Sequence, residues 1–222
     1  MTSISRHRFG SLLFFSSLYL LGISEASSAE PGQGVGALLL SAQVAEHGRA
    51  VKDPLSLIVA ASIRAKVATR RVERRPEGGD GGGDVGGAAA AEPGVEALLA
   101  EAVALSGKDP AIAAMADDIR AAKTKGRVDG VAESVATVKG AGIDWYRKVA
   151  FEGTRYAEAY AELIGDGRVL ISVWDEGGNL VCKDPNPSTY SYCGWNPSAT
   201  GRYDVKIENL GARPVRYRIS TN

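Results

Sequence analysis

Between Gly34 and Gly126 apolar residues recur every three or four positions. Val35, Leu38, Leu39, Ala42 and Ala45 form one run, and Leu55, Ile58, Ala61 and Ala65 the next. That period puts them on one face of a helix and predicts alanine-rich amphipathic helices. Asp53-Pro54 and Asp109-Pro110 mark helix starts. A carboxylate there accepts free backbone N–H groups, and a proline in the first turn gives up no helical bond. Gly34-Val-Gly-Ala-Leu-Leu39 is echoed by Gly94-Val-Glu-Ala-Leu-Leu99, Lys52-Asp-Pro54 by Lys108-Asp-Pro110, and Ile63-Arg-Ala65 by Ile119-Arg-Ala121. The chain thus carries an internal duplication, read as helical hairpins over 30–75 and 94–126, with the connection shorter in the second copy. One hairpin cannot bury its own apolar face, so the copies are expected to pack on each other or on the domain that follows.

After Gly126 the period changes to two. Trp145, Val149 and Phe151 alternate with Tyr146, Lys148 and Ala150; Val169, Ile171 and Val173 with Leu170, Ser172 and Trp174. Tyr203, Val205 and Ile207, and then Val215, Tyr217 and Ile219, repeat the pattern. Alternation describes strands with one face buried and one wet, and turn signals such as Gly165-Asp-Gly167, Glu176-Gly-Gly178 and Pro185-Asn-Pro187 separate them. The fold class expected is α+β: an N-terminal helical hairpin repeat followed by a C-terminal antiparallel β-sandwich over 127–222. Residues 76–93, dense in glycine, read as a flexible tether. Asp80 and Asp84 within it lack the ladder of acids that a calcium loop needs.

The first residues change the picture of where the chain works. Arg6, His7 and Arg8 precede an apolar run from Leu12 to Ile23 and then Glu25-Ala-Ser-Ser-Ala29. This is the order of a secretory signal peptide, residues 1–29, with cleavage expected after Ala29. The apolar run is shorter than the roughly 20 residues that span a bilayer, so no membrane span is expected after cleavage. A periplasmic or secreted protein follows. In an oxidising compartment Cys182 and Cys193, the only cysteines, are expected to form a structural disulfide between neighbouring strands across the turn at 183–189. Closing that loop stabilises by about 3 kcal/mol on the chain-entropy argument. A redox pair is the alternative, but it ordinarily needs a Cys-x-x-Cys at a helix start.

Charge and chemistry then exclude classes. Basic and acidic residues balance at 26 each, so the footprint of a nucleic-acid binder is missing. Arg70, Arg71, Arg74 and Arg75, the densest basic cluster, read as a solvated, frayed helix end. Beyond the leader the one histidine is His47, beside Gly48 and remote in sequence from any nucleophile. Serine-hydrolase elbows, zinc-protease helices and phosphate loops have no match. Asp117 and Asp118 are adjacent and so point to different sides of a helix. No catalytic residue, cofactor or metal is assigned, and the chain does not read as an enzyme.

Gly165-Asp-Gly167, Ile171-Ser-Val-Trp-Asp-Glu-Gly-Gly-Asn-Leu-Val181, Trp195-Asn-Pro197 and Thr200-Gly-Arg-Tyr-Asp-Val-Lys-Ile-Glu-Asn-Leu210 together resemble the bacterial pre-peptidase C-terminal domain. The whole layout is similar to that of exported bacterial proteins ending in such a module. The resemblance implies a jelly-roll-like sandwich, not itself catalytic, that accompanies secreted enzymes or binds polymers. Members commonly continue the glycine-aspartate turn with further acids, where this chain has Arg168 and Val169. That departure weakens a calcium site at Asp166, Asp175 or Glu176, since a hard cation wants six or more oxygens.

The aromatics remain. By alternation Trp145, Tyr203 and Tyr217 serve the core, while Tyr190, Tyr192 and Trp195, beside the disulfide, are the expected contact surface for a ligand or partner. The function expected is a non-catalytic exported interaction protein, a helical scaffold plus a sandwich module. An accessory module for a polysaccharide or peptide polymer is the alternative. The partner is accordingly an envelope or extracellular protein, or a polymer.

Overall fold

The computed structural model describes residues 34–78, 94–122 and 130–222. The leader, most of the glycine-rich stretch and the end of the second repeat lie outside these residues. Helices α1 (Val35–Val51), α2 (Pro54–Ala65), α3 (Val95–Leu105) and α4 (Pro110–Ala121) form the N-terminal half, with a short strand β1 (Thr69–Arg71) after α2. Strands β2 (Val131–Val138), β3 (Ile143–Phe151), β4 (Ala157–Ile164), β5 (Val169–Trp174), β6 (Leu180–Lys183), β7 (Tyr190–Trp195), β8 (Gly201–Asn209) and β9 (Val215–Thr221) form the C-terminal half.

The duplication shows in the backbone. Lys52 and Lys108 stand at equivalent positions and both take left-handed φ, at 56° and 66°. Each ends its connection just before the capping aspartate: Asp53 accepts from the Leu55 and Ser56 N–H groups, Asp109 from that of Ala111. The second copy is shorter in its first helix, and its connection is longer rather than shorter. α1 has 17 residues and α3 has 11, while residues 106–109 join α3 to α4 and only 52–53 join α1 to α2. The hairpins pack on each other through Leu57, Ile58, Ala61, Leu98, Leu99, Ala102 and Ile112.

The strands build two sheets, ordered β1-β2-β9-β4-β7 and β3-β8-β5-β6. All pairs are antiparallel except β1–β2. Between the sheets lies the main core, including Val138, Tyr146, Phe151, Leu163, Ile171, Val173, Ile207, Tyr217 and Ile219. The outer face of the five-stranded sheet is covered by the first hairpin. Val35, Leu38 and Ala42 of α1 meet Val67, Val131 and Tyr160 there. Strand β4 is therefore buried on both sides, with Ala157, Ala159, Ala161 and Leu163 toward the sandwich core and Tyr160 toward the helices. The Arg64 guanidinium of α2 donates bidentately to the Glu162 carboxylate of β4, at 2.7 and 2.9 Å, and ties the layers together.

Several expectations change here. Arg70 and Arg71 belong to the edge strand β1, and the Arg74 Nη1 donates to Thr221 Oγ1 at 2.8 Å, so the basic cluster is not a frayed helix end. Glu77, read as tether, exchanges both backbone hydrogen bonds with Trp145 and so pairs with the outer edge of β3 at that one point. Cys182 and Cys193 are disulfide-bonded. They do not lie on paired strands, however. Cys182 is on β6 of one sheet and Cys193 on β7 of the other, so the bond staples sheet to sheet.

Candidate functional site

Among the described residues, helices cover one outer face of the sandwich and leave the other. That face belongs to the four-stranded sheet. With Ile171, Val173, Val205 and Ile207 turned into the core, strand alternation turns Ser172, Trp174, Asp204 and Lys206 to the opposite side, where Ser172 is buried and the other three are partly exposed. Register places Trp145 beside Lys206, Lys206 beside Ser172, and Trp174 beside Asp204. The two tryptophans thus lie diagonally across β8, partly exposed, with ring centroids 5.1 Å apart and planes inclined at 50°.

Trp145 reaches this face through a break in register. β3 shifts between Tyr146 and Val149, and Lys148 takes a left-handed φ of 56°. The extra residue reverses the phase, so Asp144 and Tyr146 point inward ahead of the bulge and Val149 and Phe151 after it. Trp145 was expected in the core on uninterrupted alternation; the bulge puts it outside. The Asp204 carboxylate holds the bulge by accepting from the Lys148 N–H at 2.9 Å and from Arg147 Nη1 at 2.8 Å. The Arg147 guanidinium carbon then sits 3.9 Å from the centre of the Trp145 ring, within cation–π range.

These residues line a cleft of about 650 Å³, made by Trp145, Arg147, Lys148, Trp174, Asp175, Glu176, Gly178, Arg202 and Asp204. The volume is that of a small-ligand pocket. Burial disfavours the Asp204 carboxylate, but the Lys148 N–H and the Arg147 guanidinium outweigh it and hold its pKa below the ordinary value. Asp175 is also lowered, by the Asn179 side chain and backbone N–H. Both carboxylates therefore stay charged in mildly acidic solution. Glu176 accepts from the Arg202 N–H at 3.0 Å.

The residues expected to form a contact surface are divided by the same alternation. Ser191, Cys193 and Trp195 of β7 face the core. Trp195 is only 8% exposed and packs against Phe151 and Tyr203 at centroid distances of 4.7 and 5.4 Å. It is a core residue, and its place in a contact surface is corrected accordingly. Tyr190 and Tyr192 face the helical layer, where their hydroxyls donate to Glu46 at 2.7 Å and Glu158 at 2.9 Å. Burial and the Glu46 carboxylate push the Tyr190 pKa up to about 12. Asp166 lines a different crevice, about 610 Å³, between α1, α3 and the end of β4, apart from Asp175 and Glu176. In that crevice Arg49 pairs with Glu101 and Arg64 with Glu162, so much of its charge serves to hold layers together. Among the described residues no three His, Cys, Asp or Glu side chains are grouped to hold a metal.

No protein-family model matches the chain, and no curated protein matches its sequence. Among solved structures it is similar to Aeromonas hydrophila PliG, a periplasmic inhibitor of g-type lysozyme, at 11% identity over 41% of this chain and 84% of that one, with a TM-score of 0.33. It is similar to the pre-peptidase C-terminal domain of a Bacillus anthracis collagenase at 12% identity, over 40% of this chain and 89% of that one, TM-score 0.33. It is also similar to the C-terminal CBM6 of LamC, a marine laminarinase from Zobellia galactanivorans, at 13% identity over 41% and 88%, TM-score 0.25. At these scores the likenesses say nothing about the cleft, whose assignment rests on this chain's own geometry.

Sequence reasoning alone does not bring Trp174, Arg147, Arg202 and Asp204 into the candidate site. The available signal was the outward phase of Trp174 within Val169–Trp174, legible without the structure. The bulge at Arg147-Lys148 left none.

Proposed function

We propose that this chain is a non-catalytic binding protein of an extracytoplasmic compartment that holds its target on the open face of the four-stranded sheet. The observation that carries this reading is the partly exposed Trp145–Trp174 pair, set in a cleft on the one sheet face that the helices leave uncovered. Aromatic rings with polar groups around them are the usual anchors of binding sites. The compartment rests on the Cys182–Cys193 disulfide together with the leader pattern of residues 1–29. A non-catalytic role fits acids already committed to hydrogen bonds: Asp204 to Arg147, Asp175 to Asn179 and Glu176 to the Arg202 N–H.

The test is co-sedimentation of the full chain with washed cell-envelope material. The wild type is expected to pellet, and the double variant Trp145→Ala/Trp174→Ala to stay in solution with an unchanged thermal midpoint. Equal pelleting of both, or of neither, counts against the reading. A second reading, protein contact through α2, draws on Leu55 and Val59, a turn apart and 49% and 50% exposed. Loss of retention in Leu55→Ser/Val59→Ser, with the tryptophan variant still retained, would move the working surface to the helices.

A further inference from the structure

We infer that the cleft takes a neutral polysaccharide, with Trp174 as the platform for a sugar ring; this rests on the site proposed above. The charges lining the cleft balance, with Arg147, Lys148 and Arg202 against Asp175, Glu176 and Asp204. A polyanion or polycation calls for a surplus of the opposite sign, and neither is present. What the lining offers is donors interleaved with acceptors, which suits hydroxyl groups, since each both donates and accepts. The Arg147–Asp204 pair shows the arrangement in one place, a guanidinium and a carboxylate side by side at 2.8 Å next to an indole.

The two rings have different duties. Arg147 stacks on Trp145 at 3.9 Å and fixes it, while Trp174, inclined at 50° to it and with the Lys206 ammonium 5.1 Å from its ring centre, forms the second wall of a trough. An indole face suits the C–H face of a pyranose, leaving the ring hydroxyls to the charged rim. An extended peptide fits less well. Peptides add to sheets through main-chain hydrogen bonds at an edge, and at Trp145 the edge beside the cleft is taken. Glu77 N–H donates to the Trp145 carbonyl at 2.7 Å, and Trp145 N–H donates back at 2.9 Å.

The experiment is native affinity electrophoresis of the full chain in gels containing hydroxyethyl cellulose, galactomannan, dextran or, as the anionic probe, polygalacturonate. Retardation by at least one neutral polymer is expected, unchanged between about 0.05 M and about 0.5 M salt because no ion pair with the ligand is involved. Trp174→Ala is expected to weaken it by about tenfold or more, and Trp174→Phe to retain part of it, which separates a lost platform from a lost fold. Retardation by polygalacturonate alone, salt-sensitive and dependent on Trp174, would overturn the neutral ligand while leaving the site standing. Retardation that Trp174→Ala leaves intact would overturn both. Migration unaffected by every polymer would overturn the polysaccharide, with envelope co-sedimentation still deciding the site.

Discussion

Replacing Arg64 by alanine strips the partner from a carboxylate held between two layers. The Arg64 and Glu162 side chains are 7% and 12% exposed, and their two hydrogen bonds, at 2.7 and 2.9 Å, are as short as charge-assisted bonds become. Arg64 Nε also donates to Ser41 Oγ at 3.2 Å, and Ser41 Oγ to the Ala60 carbonyl at 2.9 Å. Burial alone lowers the Arg64 pKa, but the Glu162 carboxylate more than reverses this and raises it above the ordinary value. Breaking such a pair from one side costs about 3–5 kcal/mol, because a buried charge is left uncompensated. For a chain of this size that is a fall in melting temperature of roughly 6–20 °C. Arg64→Met/Glu162→Leu removes both charges and should cost less than either single change. Arg120 occupies the equivalent position in the second repeat but lies exposed, paired with Glu96 and Asp117. Arg120→Ala is expected to leave the midpoint nearly unchanged. Urea and thermal unfolding followed by circular dichroism would read these variants and the two single changes of the double one. A cost for Arg64→Ala below about 1 kcal/mol, the range of surface pairs, would refute the claim that this pair joins helices to sandwich. Additivity of the two single changes would refute it too.

Other outcomes follow from the same structure. Reducing the disulfide, or replacing Cys182 and Cys193 by alanine, is expected to cost about 3 kcal/mol, and unfolding with and without reductant measures it. Trp195→Ala should cost about 3–5 kcal/mol by opening a cavity in the core and leave envelope binding intact in molecules that still fold, the reverse of what a contact residue would do. The folded pKa of Asp204 lies below its unfolded value, so its contribution is present above the unfolded pKa and lost as pH falls through the depressed one. Asp204→Asn should therefore flatten the acid limb of the stability–pH curve.

The helices were legible because their signals are local. Asp-Pro caps, a three-and-four period and a repeated segment all sit within a few residues of the elements they specify. Core strands with one wet face, such as Tyr203 to Ile207, were legible for the same reason. Strand β4, Ala-Glu-Ala-Tyr-Ala-Glu-Leu-Ile, was not. Its residues favour helix, and its alternation is hidden because both faces are buried, one under the other sheet and one under α1. β1 is a three-residue edge strand, and its three residues are exposed, so they carry no apolar pattern. The candidate cleft is hidden from the sequence for a non-local reason. Tyr190, Tyr192 and Trp195 were grouped by closeness in sequence, whereas a strand sends alternate residues to opposite faces. Trp145 and Trp174 meet only through the register of β8, after a bulge that nothing in the residue pattern announces.

Whether the open sheet face is the working surface can be read directly by hydroxyl-radical footprinting of the full chain, free and bound to the envelope material that retains it. Binding is expected to protect Trp145 and Trp174 from oxidation while Met115 and Tyr156, 43% and 50% exposed and outside the cleft lining, react as before. Protection of the helical residues with Trp145 and Trp174 unchanged would contradict the account.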